Sequence, residues 1–508
     1  MAKTGITKST SPGLGVIMAS VSDWSPPLLW KHFFELTQIP RESKKEQAAA
    51  AYVMQSARGR GLAVQQDRIG NVLVNKPATS GYENAAPVIL QSHLDMVCEK
   101  KPDISFDFAR QKIKPIKTGD WLSAEATTLG ADNGIGVAAM LALLEETKIA
   151  HPPLECLFTV DEEVDMTGAT ELNRELCRGR LMINLDDEEE GCICIGSAGG
   201  FDTLLDIPVF FETNETGKGF RLEIQGLPGG HSGLDIDQHR GNALKVIAAI
   251  LVGVSASIDI RLANIQGGSK FTAIPTFAQA TCFVPENISS GRIEELVRDS
   301  WKGLKEAGQP WSETARLDLT WGGSAPKFFT KESHDITLAS LLALPHGVIE
   351  AHQQLPVVAT STNLATVNFY VYGKYPKVQL KMHSRSLHEA GLRQVRQMIS
   401  AIGLLGNIGV THSGDYPCWQ PRSDSPLVRT ARRVYESLFQ AAPRVRSVHA
   451  GSEAGIFAGH FPGIDIISIG PTILSPHAPG EKVHIGSVER FYTFLLGLLR
   501  ALNMDHKG

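Results

Sequence analysis

Three short stretches of the chain end in residue types that hold cations or move protons. In Leu90-Gln91-Ser92-His93-Leu94-Asp95 an apolar run closes on a histidine and an aspartate two positions apart. Side chains at that spacing on a strand share a face, so the Asp95 carboxylate can fix the tautomer and orientation of a metal-ligating His93. The run Leu157-Phe158-Thr159-Val160 leads directly into Asp161-Glu162-Glu163. Adjacent carboxylates repel unless a cation joins them, and they permit one to bind metal while its neighbour takes a proton from water. A solvated strand end or an acidic helix start is the plainer alternative. Leu181-Met182-Ile183-Asn184-Leu185 opens into the acids Asp186 to Glu190. Most of such a run must be solvated, which leaves one ligand at its start.

Two loops extend the set. Leu129-Gly130-Ala131-Asp132-Asn133-Gly134-Ile135-Gly136 is a glycine-rich turn ahead of a helix. It lacks the P-loop lysine and the full G-x-G-x-x-G spacing, which argues against a phosphate cradle. Gly470 to His477 places a histidine in a proline-punctuated loop after a strand. In order, a His, an Asp, a Glu pair, an Asp and a late His supply hard oxygen and borderline nitrogen without thiolates. Two Zn²⁺ or Mn²⁺ ions suit that set.

These residues need a scaffold that gathers them. The spacing of Leu28, Leu29, Trp30, Phe33, Phe34 and Leu36 predicts a helix, and Gln47 to Arg58 predicts a second one ended by Gly59. A hairpin should follow around Gly70. Four apolar runs, Val88 to Gln91, Leu154 to Val160, Leu181 to Leu185 and Ile464 to Ile469, read as buried strands. Helical patterns lie between them at Gly134 to Glu146 and Thr167 to Leu176. The outer parts of the chain therefore read as one α/β domain, with ligands expected beyond the strand ends. The middle changes character, with alternating strands such as Phe220 to Gln225 and Val378 to His383 among helices at Asn242 to Val254, Ile293 to Ala307 and His388 to Leu404. The expected organisation is a disordered tail over 1–25, a catalytic domain over 26–200 and 416–508, and an inserted α+β domain over 201–415. A last helix is expected from about Ser487 to Leu502.

Composition sets bounds. At 508 residues and 43% apolar content, two domains with an enzyme-sized core are expected. A formal charge of -5, with no large basic block, makes nucleic acid an unsuitable partner. Seven cysteines without regular spacing fit small buried thiols in a reducing cytoplasm better than a disulfide framework. The first twenty residues lack a secretory pattern, and no apolar run is long enough to span a bilayer, so no membrane partner is expected.

With these residues in view, the chain resembles the M20 metallopeptidases, and within them the branch of Xaa-His (aminoacyl-histidine) dipeptidases. The resemblance covers roughly Pro27 to Leu502 and rests on the motifs at 92–97, 129–136, 161–163 and 183–186, on His-Ser-Gly-Leu-Asp-Ile at 231–236, and on Ser-Ile-Gly-Pro-Thr-Ile with His477 at 468–477. It implies a zinc-peptidase-like catalytic domain with a mixed sheet and flanking helices, carrying an inserted lid domain. It also implies that His93, Glu163, Asp186 and His477 bind two divalent cations, zinc with manganese or cobalt as alternatives, and that Asp132 bridges them. Glu162 would be the general base and Asp95 the residue orienting His93, with a cis peptide between Asp132 and Asn133. His231 would stabilise the oxyanion, Arg385 would meet the carboxylate of a small peptide substrate, and Glu453 its free amine. A homodimer is a further implication. The chain departs from the family at Thr272, where asparagine is usual, at Asp187, where serine is usual, and near Leu364 to Val367. A related aminoacylase or carboxypeptidase-like amidohydrolase, and a metal-binding homologue without turnover, are the other readings.

Overall fold

The computed structural model describes residues 24–214, 216–306, 310–322, 327–371 and 375–502. The tail expected over 1–25 therefore lies almost entirely outside the described residues. The chain forms two compact units, one of residues 1–196, 421–447 and 456–508, the other of residues 197–420 and 448–455.

The first unit is built on an eight-stranded mixed sheet. Its centre is four parallel strands in the spatial order Leu154–Thr159, Val88–His93, Leu181–Asn184 and Asp465–Ser468. Three of them are buried along their whole length and the fourth at all but Leu181, as expected of strands covered on both faces. The hairpin at Gly70 joins Ala63–Gln66 to Val72–Lys76, where Gly70 takes a φ of +118° and the Asp67 carboxylate accepts from three backbone N–H groups of the turn. The helix Ala131–Glu145 is apolar on every side and buried from Ala131 to Leu144, so it runs through the core. The helix Pro27–Leu36, opened by a proline at its start, packs Trp30, Phe33 and Phe34 into the same core.

The helix expected over Thr167 to Leu176 is shorter than its periodicity suggested. One turn, Thr167–Thr170, is followed by a separate 3₁₀ turn at Arg174–Leu176. The Asn173 side chain accepts from the Glu175 N–H, a local bond that competes with continuing the helix.

The second unit is a nine-stranded antiparallel sheet covered on one face by helices. Ala243–Ser255, Ser290–Glu306, Lys331–Ala343 and Glu389–Leu405 bury their apolar stripes against Leu205, Leu222, Ile224, Leu364 and Leu380. The strands Val358–Tyr370, Lys377–Ser386, Gly199–Pro208 and Gly409–Tyr416 lie side by side, and their alternate residues form the other face. The segment near Leu364 to Val367 contains a bulge, between Leu364 and Thr366. No helix among the described residues is long and apolar enough to cross a membrane.

Candidate metal centre and its surroundings

Because the four central strands of the first unit run parallel, their C-terminal ends lie at one edge of the sheet, and the motif residues follow from those ends. His93 is the last residue of its strand and almost fully buried. Its Nε2 lies 3.2 Å from Asp132 Oδ1 and 3.3 Å from Asp186 Oδ1. Across the same carboxylate, His477 Nε2 lies 3.1 Å from Asp132 Oδ2 and 3.0 Å from Glu163 Oε2. Two histidine–carboxylate triads thus share Asp132, one through each of its oxygens, and within each triad the ligand atoms lie within 4.8 Å of one another. Glu162 also falls in such a grouping, with His93 and Glu163. The five residues from scattered motifs are brought together.

The charges of this cluster demand positive partners. Burial alone would lower the His93 imidazole, but Asp186 and Asp132 raise it well above its usual value. Hydrogen bonds donated to the Asp132 and Glu163 carboxylates push His477 up to about 11. Burial pushes Asp186 up to about 6 and Glu188 up to about 8, with the charge on Asp132 adding to both. A nest of carboxylates that draws protons onto its imidazoles has the donor chemistry that draws divalent cations.

Asp95 organises the turn that carries the paired glutamates. Fully buried, it accepts the backbone N–H of Glu162 at 3.1 Å and of Glu163 at 3.0 Å, and the Ser43 hydroxyl at 2.7 Å, while His93 Nδ1 lies 3.4 Å away. Burial opposes its charge, but His93 and these donors hold the carboxyl down at about 2. Asp95 therefore fixes both glutamates as well as facing His93.

The turn bearing Asp132 has its own clamp, which the motifs did not reveal. The Glu481 carboxylate, 1% exposed, accepts the N–H groups of Leu129, Gly130, Ala131 and Asp132 at 2.6 to 3.2 Å. From the other side the buried Arg41 guanidinium donates to the carbonyls of Leu94, Asp95 and Gly130, joining the first strand end to the turn. Gly130 takes a φ of +71°, and a Cβ there would meet Arg41 at 2.3 Å, so only glycine fits. The Asp132–Asn133 peptide is cis.

The acidic run is not solvated as expected. Asp187 pairs with Arg446, Glu189 with Arg444 and Glu190 with Arg490, so arginines from the C-terminal part of the chain neutralise it. Sequence distance hid those partners. Asp187 turns to Arg446 at 2.8 Å, and Asp186 is the aspartate facing His93.

The remaining expected residues lie in the second unit. His231 Nδ1 accepts the N–H groups of Gly233 and Leu234, and burial with Arg385 nearby lowers the imidazole to about 4. A neutral ring that accepts at Nδ1 carries its proton on Nε2, so it is a donor there. Arg385 is 4% exposed and donates to Ser232 Oγ at 2.7 Å; it has no carboxylate at ion-pair distance among the described residues. It is not a surface arginine. Glu453 is fully buried at the first residue of the helix Glu453–His460. Thr272 is exposed, and its carbonyl accepts the Ser232 N–H.

A unit with parallel strands buried on both faces, carrying two histidine–carboxylate triads around one aspartate, defines a metallopeptidase-type scaffold, and residues 89–501 match the description Peptidase family M20/M25/M40. The chain belongs to that family. It is 38% identical to the cytosol non-specific dipeptidase of Escherichia coli (strain K12) over 96% of this chain and 99% of that protein. It is similar in structure to aminoacylhistidine dipeptidase from Vibrio alginolyticus, with a TM-score of 0.86 and 36% identity over 95% of this chain and 98% of the other. The aminopeptidase PepT from Bacillus cereus, at 17% identity and a TM-score of 0.58 over 94% and 99% of the two chains, shares the fold.

Proposed function

We propose that the chain is a metal-dependent dipeptidase that hydrolyses the peptide bond of small unblocked dipeptides, Xaa-His among them. The observation that carries this reading is the sharing of Asp132 between two triads. His93, Asp132 and Asp186 would hold one divalent cation, and Asp132, Glu163 and His477 the other. Zinc is the proposed metal, because imidazole nitrogen and carboxylate oxygen in small sets suit it. When bound, such a pair supplies Lewis acidity to a carbonyl and makes water more acidic.

The chain's own residues perform the rest. Glu162, held by its backbone N–H on Asp95, takes a proton at its carboxylate and returns it to the departing amine. Asp95 keeps His93 in orientation. His231, a neutral Nε2–H donor, is assigned to the developing oxyanion. Arg385, a buried cation that donates to the neutral Ser232 hydroxyl, is assigned to the free carboxylate of the substrate, where a planar fork of donors matches its geometry. Glu453 is assigned to the free amine. Cytoplasmic residence and a homodimer belong to the same reading and rest on the resemblance alone; cell fractionation and sedimentation test them.

Metal analysis combined with a panel of dipeptides and their N-acetylated counterparts tests the function. Two cations per chain and a strong preference for free amines are expected. Equal rates on blocked peptides would point to an amidohydrolase instead, and cation binding without turnover to a non-catalytic homologue.

A further inference from the structure

The helix-free face of the second unit's sheet carries a polar network that no motif announced. Along one row, Asp202 pairs in register with His383; along the next, Gly200 pairs with Arg385 on one side and with Tyr416 on the other. His383 Nδ1 lies 2.5 Å from Asp202 Oδ1, and its Nε2 lies 3.2 Å from the Tyr416 hydroxyl. Tyr416 and Arg385 flank the same glycine, and the two side chains interact electrostatically. A Cβ at Gly200 would come within 2.5 Å of the Tyr416 hydroxyl, so the glycine leaves the space through which the phenol reaches the guanidinium.

The direction of every bond in this chain is determined. A carboxylate only accepts, so His383 carries its proton on Nδ1; burial keeps the ring neutral, so Nε2 accepts. The Tyr416 hydroxyl therefore donates to Nε2, and its oxygen is free to accept from Arg385, which can only donate. The guanidinium donates to the uncharged Ser232 hydroxyl at 2.7 Å and has the uncharged Tyr416 side chain as a neighbour. It is aimed without being neutralised.

We propose that Tyr416, set by the Asp202–His383 pair, is the positioning residue that aims Arg385 at the free carboxylate of a peptide substrate. The inference rests on the assignment of Arg385 above. Because the groups that would set it are neutral hydroxyls rather than carboxylates, the arginine keeps its charge for the ligand while its orientation is restricted.

The test compares a dipeptide with its C-terminal amide, as substrate or competing inhibitor, on the metal-loaded enzyme. Tyr416→Phe removes one oxygen and should raise KM for the free acid about tenfold, with kcat within about twofold and the amide unaffected. Asp202→Asn, acting at the far end of the chain, should shift the same ratio in the same direction. A merely structural role would move acid and amide together, or kcat with KM, and would overturn the proposal. Arg385→Met separates the two layers: if it leaves the preference for acid over amide intact, the assignment of Arg385 is wrong. If it abolishes that preference while both Tyr416→Phe and Asp202→Asn retain it, the positioning inference alone is wrong.

Discussion

Replacing Glu481 with glutamine tests whether the Asp132 turn is held by one distant carboxylate. Each Glu481 oxygen accepts two backbone N–H groups, Oε2 those of Leu129 and Gly130, Oε1 those of Ala131 and Asp132. An amide keeps one oxygen and turns an NH₂ group towards the other two donors, which stay buried. An unsatisfied buried donor costs about 1–3 kcal/mol, and losing the negative charge at a helix start costs about 0.3–2 more. The expected loss is about 2–8 kcal/mol, and relaxation of the turn brings it towards the lower end. Urea unfolding followed by tryptophan fluorescence reads it in the transition of the first unit, which contains Trp24, Trp30 and Trp121. Isothermal titration with Zn²⁺ gives the second readout, because Asp132 serves both triads and a shifted turn should weaken both sites. A variant that unfolds within about 0.5 kcal/mol of the parent and binds Zn²⁺ equally well would refute the clamp.

Other expectations follow from the same geometry. Glu162→Ala should keep both cations by elemental analysis and lose about 10²–10⁴ in kcat; loss of metal would show that Glu162 is a ligand and not the base. Asp132→Ala should lower cation content at both sites at once, and retention of one tightly bound cation would contradict the bridge. In the second unit, burial holds His334 down to about 4 and His449 down to about 3, against an ordinary 6.5 in the unfolded chain. As pH falls below 6.5 the unfolded chain takes up protons that the folded chain refuses. Stability present above that pH is then lost towards pH 4, by up to about 1.4 kcal/mol per pH unit for each histidine. Acid unfolding curves of a His334→Gln variant should be shallower in that window; an unchanged slope would remove His334 from the account.

The histidine–carboxylate cluster was legible because it follows strand ends. Largely apolar runs of four to seven residues leading to His93, Asp161 or Asp186 announce both a buried strand and what emerges from it, and parallel pairing then gathers them. Glu481 and Arg41 were not legible, since a clamp made of backbone donors leaves no side-chain pattern at the residues it holds. A glutamate four positions after His477 was the one available hint. The Asp202, His383 and Tyr416 network was hidden for another reason: alternation assigns each residue a face of its own strand, but only the register between strands brings them into line. The arginines that neutralise Glu189 and Glu190 lie more than 250 positions away, so a local count of charge read that segment as solvated.

The strand Asp465–Ser468 fills a middle lane of the first unit's sheet, between Leu181–Asn184 and Cys192–Ser197. During synthesis that lane stays empty until the whole of the second unit has left the ribosome, and the two strands flanking it present open backbone edges meanwhile. The protein can therefore complete the sheet edge that gathers His93, Glu163 and Asp186 only once Asp465–Ser468 has been made, with His477 arriving just behind the closing strand. A chain stopped before Asp465 would be left with an unsealed sheet that invites pairing with other chains.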